Sequence, residues 1–354
     1  MTLNTRIDSA NNMSNKGLSS FSPANFGMVM ATGIVSLAAY FLNLKSISSV
    51  LFYLNNILFL LFSLLIIFKL IYYPRVLLNV IRSHKKSFSL FTLVAGTNVL
   101  GAQYYLILGH HGMAVVLMCM GLMLWLIITY GVFVGLITKE NKPSISNAVG
   151  GSWLLVVVAT QSVAVLSGLL SANMSLQHNL ILSFLSLFMW LVGGMLYIWL
   201  TSLIIYRYMF YKLSPHDMEP PNWINMGAMA ISVLAGSILV GNASNASYLG
   251  SLMPFVKGFT IFYWAIATWW IPLLVLLSIW RHIYKRYPMQ YGPLYWGAVF
   301  PLGMYSASSF QLLNVMNLPF LSSLPMVFFY IAMVAWLLTF YGFVMHVRGI
   351  VLFH

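Results

Sequence analysis

Apolar residues along this chain gather into ten runs long enough to cross a bilayer, separated by short polar connections. The runs cover roughly residues 23–42, 49–73, 88–108, 113–137, 148–170, 180–205, 224–242, 258–281, 292–312 and 323–347. Each predicts a helix, so the expected fold is an all-α integral membrane protein. Residues 1–22 and 348–354 would be tails, and 23–347 a single ten-span domain. Pro23 and Asn25 open the first run, Pro220 to Trp223 introduce the seventh, and Pro272 predicts a bend in the eighth. The ninth reads GPLYWGAVFPLGMYSASSFQLL over residues 292–313. There Pro301 lacks a backbone donor and its ring crowds the preceding turn, which predicts a kink near Gly297–Phe300. Helical spacing puts Trp296, Phe300, Gly303 and Ala307 on one face, so bulky rings give way to small side chains.

A second pattern is laid over the first. Gly, Ala and Ser supply 37 of 104 residues in the odd-numbered runs but 19 of 125 in the even-numbered ones. Small residues let helix backbones approach closely, whereas large branched ones suit lipid and subunit contacts. The alternation admits two readings. The odd helices are buried packing helices, or they form the inner wall of a central pore built from five helical hairpins, with even helices outside.

Composition and charge narrow the class. The 354 residues are 61% hydrophobic and 6% charged, which leaves no room for a sizeable soluble domain. The first 22 residues lack the apolar core and cleavage site of a signal peptide. Cys119 is the single cysteine and falls within a run, so neither a disulfide framework nor a thiolate metal site is expected. The net charge of +13 follows the membrane. Of 17 Lys and Arg, 15 fall in the N-terminal tail, after even-numbered runs or at the C-terminus, leaving Lys45 and Lys257 opposite. This predicts cytoplasmic termini in the cell membrane. Basic residues dispersed through short loops also speak against nucleic-acid binding.

The four acids, Asp8, Glu140, Asp217 and Glu219, all fall in the tail or the loops. A cation in hydrocarbon needs a counter-charge, so cation transport is disfavoured. The odd runs offer only neutral groups as candidate pore-lining residues: Asn25, Thr32, Thr97, Asn98, Thr160, Gln161 and Ser237. Amide and hydroxyl hydrogens solvate an anion weakly, and basic loops concentrate anions at one mouth. Taken singly, each of these side chains reads first as an interhelical hydrogen-bond partner. His110 and His111 point about 100° apart on a helix with no third ligand nearby, so no metal is expected. Sequons at Asn173, Asn242 and Asn245 are of a kind frequent by chance. No catalytic or nucleotide-binding motif is present, so neither an enzyme nor a cofactor is expected.

The opening FSPANFGMVMATGIVSLA, the third-run AGTNVLGA and the ninth-run WGAVFPLG resemble the tellurite-resistance/dicarboxylate transporter family. That family takes in bacterial TehA-type proteins, fungal malic-acid transporters and plant slow-type anion channels. The likeness runs from about Phe21 to Val347. It implies five helical hairpins around a pore, a homotrimer, and a path for small anions or dicarboxylates. It also implies a phenylalanine plug in the ninth span, matched here by Phe300, with Gly297, Pro301 and Gly303 supporting it. The alternative it leaves open is a secondary carrier of C4-dicarboxylates such as malate, linked to tellurite resistance.

Overall fold

The computed structural model describes residues 21–352 apart from 173–174, 244–245 and 290. The expected tail 1–20 and the sequon asparagines Asn173 and Asn245 lie outside the described residues. Ten long helices stand among those described: α1 (Phe26–Phe41), α2 (Lys45–Tyr72), α3 (Phe91–Leu108), α4 (His111–Ile137) and α5 (Leu155–Ser171). They continue as α6 (Leu176–Phe210), α7 (Ile224–Gly241), α8 (Ser247–Ile279), α9 (Trp296–Met316) and α10 (Leu324–Leu352). Nine are long and apolar enough to cross a membrane. The one that falls short is α9, because Ser306, Ser308, Ser309, Gln311 and Asn314 dilute its aromatic half. The chain is thus an all-α, multi-span membrane protein.

Several boundaries differ from the sequence expectation. Helix α6 runs 35 residues and α8 runs 33, and α8 then ends in a π-helical turn, Trp280–Tyr284. At 1.5 Å per residue these exceed the hydrocarbon thickness, so their ends project beyond it. Helix α8 continues through Pro254 and Pro272, and α9 through Pro301. Pro301 falls early in its helix, where its missing donor frees the Gly297 carbonyl in the first turn. Helix α10 carries on to Leu352, past the expected start of a tail.

Odd and even helices differ in burial as they do in composition. In α1, α3, α5 and α7 with their preceding turns, 78% to 94% of the most apolar window is buried. In α2, α4, α6, α8 and α10 the share is 17% to 50%. The outer helices present Leu, Ile, Phe and Tyr outward, as a lipid-facing surface requires. The odd helices touch in the order α1, α3, α5, α7, α9 and back to α1, which closes a circle. Each even helix packs on the odd helix before it and also touches the next.

Hydrogen bonds follow that second contact. Asn55 Nδ2 of α2 donates to Gln103 Oε1 of α3 at 2.7 Å. Trp125 of α4 donates to Thr160 Oγ1 of α5 at 2.8 Å, and Trp190 of α6 to the Ser232 carbonyl of α7 at 2.9 Å. Trp264 of α8 donates to Ser309 Oγ of α9 at 3.1 Å, and Trp336 of α10 to Thr32 Oγ1 of α1 at 3.0 Å. The same step, from an outer helix to the next inner one, is made five times around the circle. An indole buries a large ring while giving its one donor a partner, which suits a setting without water.

Every odd helix is entered through a 3₁₀ turn: Pro23–Asn25, Ser87–Leu90, Gly151–Leu154, Pro220–Trp223 and Pro293–Tyr295. Three open with proline, whose fixed φ and missing donor suit a first turn. The five turns touch their neighbours in the same cyclic order as the helices. A ring of turns therefore caps one end of the circle.

Candidate functional site

That ring surrounds a cavity of about 450 Å³. Ala24, Ser89, Ser152, Pro221 and Leu294 line it, one from each turn, with Gly27, Thr92, Leu155, Ile224 and Gly297 just inside the helices. Its charged lining is Lys69, Lys85, Lys86 and Glu219. Lys69 reaches it from the end of α2, where its ammonium donates to the Phe21 carbonyl at 2.6 Å. Lys85 and Lys86 belong to the connection before α3. Burial, then the charges of Lys139 and Lys142, hold the nearby His84 imidazole below its ordinary pKa. A positive field at this end is the cause of the second of those effects.

A second cavity of about 160 Å³ lies at the far ends of the same five helices. Leu37, Ala102, Val165, Leu234 and Gln311 each contribute to its wall. On α9, Gly297 lines the first cavity and Gln311 the second. At about 100° per residue, Phe300 and Met304 fall within roughly a sixth of a turn of the line joining those two. Both are fully buried, as are Ile34 of α1 and Ile231 of α7. On that line of α9, between the residues that line the two cavities, stand a buried aromatic ring and a buried thioether.

The supporting residues on α9 have definite neighbours. A methyl group added at Gly227 of α7 would lie 2.7 Å from Pro301 Cγ, so the proline ring occupies a notch that only glycine leaves. Gly303 faces α1, where an added methyl would stand 3.0 Å from Val35 Cγ2. Gly297 faces Pro221 at 3.3 Å on the same measure.

The neutral polar candidates sit differently. Thr32, Thr160 and Gln161 are engaged by outer helices, through Trp336, Trp125 and the Trp190 carbonyl. Asn98 donates to Ser162 Oγ and to the Val94 carbonyl, both at 3.1 Å. Thr97 bonds the Leu93 carbonyl one turn back, and Asn25 bonds Ser22 within its own turn. Ser237 Oγ is buried without a hydrogen-bond partner among the described residues. None of the seven lines either axial cavity. Sequence reasoning expected basic loops to concentrate anions at one mouth but did not single out Lys69, Lys85 or Lys86, and it passed over the hydroxyls of Ser89, Thr92 and Ser152. The signal for those hydroxyls was their position at the entry of the second and third odd runs.

The segment between α6 and α7 is pinned beside that mouth. Arg207 bonds the Val149 carbonyl and pairs with Asp217 at 2.9 Å, while Arg281 bonds the Met218 carbonyl. Asn222 accepts from the Gly151 amide at 3.1 Å and from Tyr208 at 2.7 Å. Burial favours the neutral form of Asp217. Bonds from the Ser214 hydroxyl and amide, with the Arg207 charge, outweigh it and hold the carboxyl below its ordinary pKa.

Apolar multi-span helices, with a cavity at each end of the inner five and, among the described residues, no titratable constellation between them, have the build of a membrane transport protein. The chain belongs to the SLAC1 family, described as voltage-dependent anion channel, whose family model matches residues 20–344. It is similar to two uncharacterized transporters of Methanocaldococcus jannaschii, at 23% and 24% identity over 332 residues. That is 91% of this chain and 93% and 92% of theirs. It is also 37% identical over 156 residues to an uncharacterized membrane protein of Mycobacterium tuberculosis, covering 44% of this chain and 78% of that one. The family is one of channels and transporters and assigns this chain a role in anion or solute transport rather than catalysis.

Proposed function

We propose that the chain is an anion channel in which ten spans, arranged as five hairpins, enclose one pore, with Phe300 as its plug. The observation that carries this reading is the pair of cavities on one axis with buried Phe300 and Met304 between them. An ion cannot cross a dry apolar layer without its hydration or a substitute for it. Gly297 and Gly303 keep α9 close to its neighbours, and Pro301 seats it in the Gly227 notch, so the ring is held on the axis. Both termini are cytoplasmic in a cell membrane, which makes the lysine-lined cavity the cytoplasmic mouth. The outer helices pair with lipid and with two further copies of the chain in a homotrimer. The permeant species are small inorganic anions or dicarboxylates. A carrier of C4-dicarboxylates is the second reading, favoured by a lysine-lined cavity of about 450 Å³ that has room for a four-carbon diacid.

The test is Phe300→Ala in proteoliposomes. Removing the ring lets a hydrated file form, so chloride flux should rise severalfold with no activating signal, and Phe300→Leu should fall between. If Phe300 is ordinary core, truncation leaves a cavity costing about 3–5 kcal/mol, and flux and melting temperature fall together. A folded variant with flux no higher than the parent ends the plug reading. Saturable exchange of malate without bilayer conductance would favour the carrier.

A further inference from the structure

The cytoplasmic cavity holds three lysines and one acid, and that acid is already in contact with one of the lysines. Glu219 Oε1 stands 3.4 Å from Lys85 Nζ. The two sides of this pair differ in how firmly they are held. Glu219 directly precedes Pro220 and caps a 3₁₀ turn, with extended backbone angles of φ −65° and ψ 154°. Arg281 grips the carbonyl of Met218 before it, and Asn222 ties the turn after it to Asp217 and Gly151. Its side chain is 29% exposed. Lys85 belongs to a connection 134 positions earlier in the chain, and its side chain is 58% exposed. A carboxylate on a pinned stretch of backbone thus faces a more exposed ammonium at the rim of the cavity. Lys85, Ser152, Glu219 and Pro221 also line a neighbouring polar cavity of about 260 Å³ that holds Arg207 and Asp217. The ammonium therefore has room to leave its partner without entering apolar surroundings.

We infer that Glu219 is a tethered competitor for anions, occupying Lys85 at the cytoplasmic mouth and so setting how tightly that mouth holds an incoming anion. This rests on the anion-transport reading above and names a residue that tunes it. The chemistry is exchange of one carboxylate for another anion on the same ammonium. An arriving chloride or carboxylate must displace Glu219, or bind beside its negative charge. A unit charge about 4 Å away in water-like dielectric changes anion occupancy by about fivefold, and by nearer twofold once salt screens it. Lys69 and Lys86 line the same cavity, so Lys85 and Glu219 set its affinity without supplying all of its charge.

Chloride binding to the purified full chain in detergent, read by chloride-35 line broadening, tests this apart from transport. Glu219→Gln should tighten chloride binding about twofold to fivefold, and Lys85→Gln should weaken it. The double variant should gain less over Lys85→Gln than Glu219→Gln gains over the parent, since the acid acts mainly through that lysine. In oriented proteoliposomes Glu219→Gln should lower the half-saturating chloride concentration by the same factor from the cytoplasmic side only. A folded Glu219→Gln that binds chloride as the parent does, or shifts both sides equally, overturns the inference and leaves the channel reading standing. Should that variant fail to fold, Lys85→Gln decides, and unchanged binding there overturns it too. A parent that binds chloride but passes no anion contradicts the channel reading instead.

Discussion

At Gly227 one added methyl group would stand 2.7 Å from Cγ of Pro301 and 3.1 Å from its Cα. Proline cannot swing aside as a flexible side chain can, so Gly227→Ala must move α7 or α9. The expected cost is about 1–3 kcal/mol, read as a lower melting temperature in detergent. Since α9 carries Phe300, basal flux should change with it. Asp217 makes a second statement at this scale. Its folded pKa is depressed, so its contribution to stability is present above the unfolded carboxylate pKa and is lost as pH falls through the folded value. Asp217→Asn should remove that part of the acid dependence, measured as melting temperature against pH from neutral to acidic. Sequence reading reached Phe300 through its proline and glycine neighbours and the ninth-run motif. It could not reach the Lys85–Glu219 pair, because nothing local joins residues so far apart in the chain. For Thr32 and Thr160 it left pore lining and interhelical bonding both open, because composition gives no rotational phase, and phase is what turns them toward Trp336 and Trp125.

Among the elements, the outer helices act as straps. Each packs on its own inner helix and bonds the next one, so the inner circle is tied from outside. Trp336→Phe removes the α10 to α1 bond while keeping most of the ring's packing. A loss of about 1 kcal/mol is expected, with Thr32→Val costing similarly and the double variant less than the sum. Chemical denaturation in detergent measures all three. The alternation of small and large residues made these two layers legible before any coordinates, since close backbone approach leaves a compositional trace. The 3₁₀ entries left a trace only in the prolines that open three of them. Ser87–Leu90 reads as ordinary helix, and the tightened turn reflects packing against neighbouring turns rather than local preference. Helix α9 shows the opposite failing. Its serines and amide side chains weaken its hydropathy, yet its face toward the other inner helices is buried as theirs are.

For the whole molecule, selectivity follows from where the acids stand. Among the described residues Glu140, Asp217 and Glu219 are all in connections, and no span carries a carboxylate. Reversal potentials in liposomes should track the chloride or nitrate gradient, and tracking of the potassium gradient would contradict the anion reading. The exposed Leu, Ile and Phe of the outer helices leave ample surface for the proposed trimer, and native mass in mild detergent should give three copies.

The circle of inner helices has five junctions, and they are not equivalent. Four join consecutive hairpins, so a stretch of backbone runs from each outer helix to the next inner one and limits how far the two can part. The fifth, where α9 and α10 meet α1, has no such connection among the described residues and is held by packing and the Trp336–Thr32 bond. It is a seam. Thermal breathing of the ring should begin there, and the last hairpin must dock on the first before any closed wall exists during synthesis. Amide exchange in the facing halves of α1 and α10 should therefore outrun that in α5 and α7, although all four belong to one continuous barrel of helices.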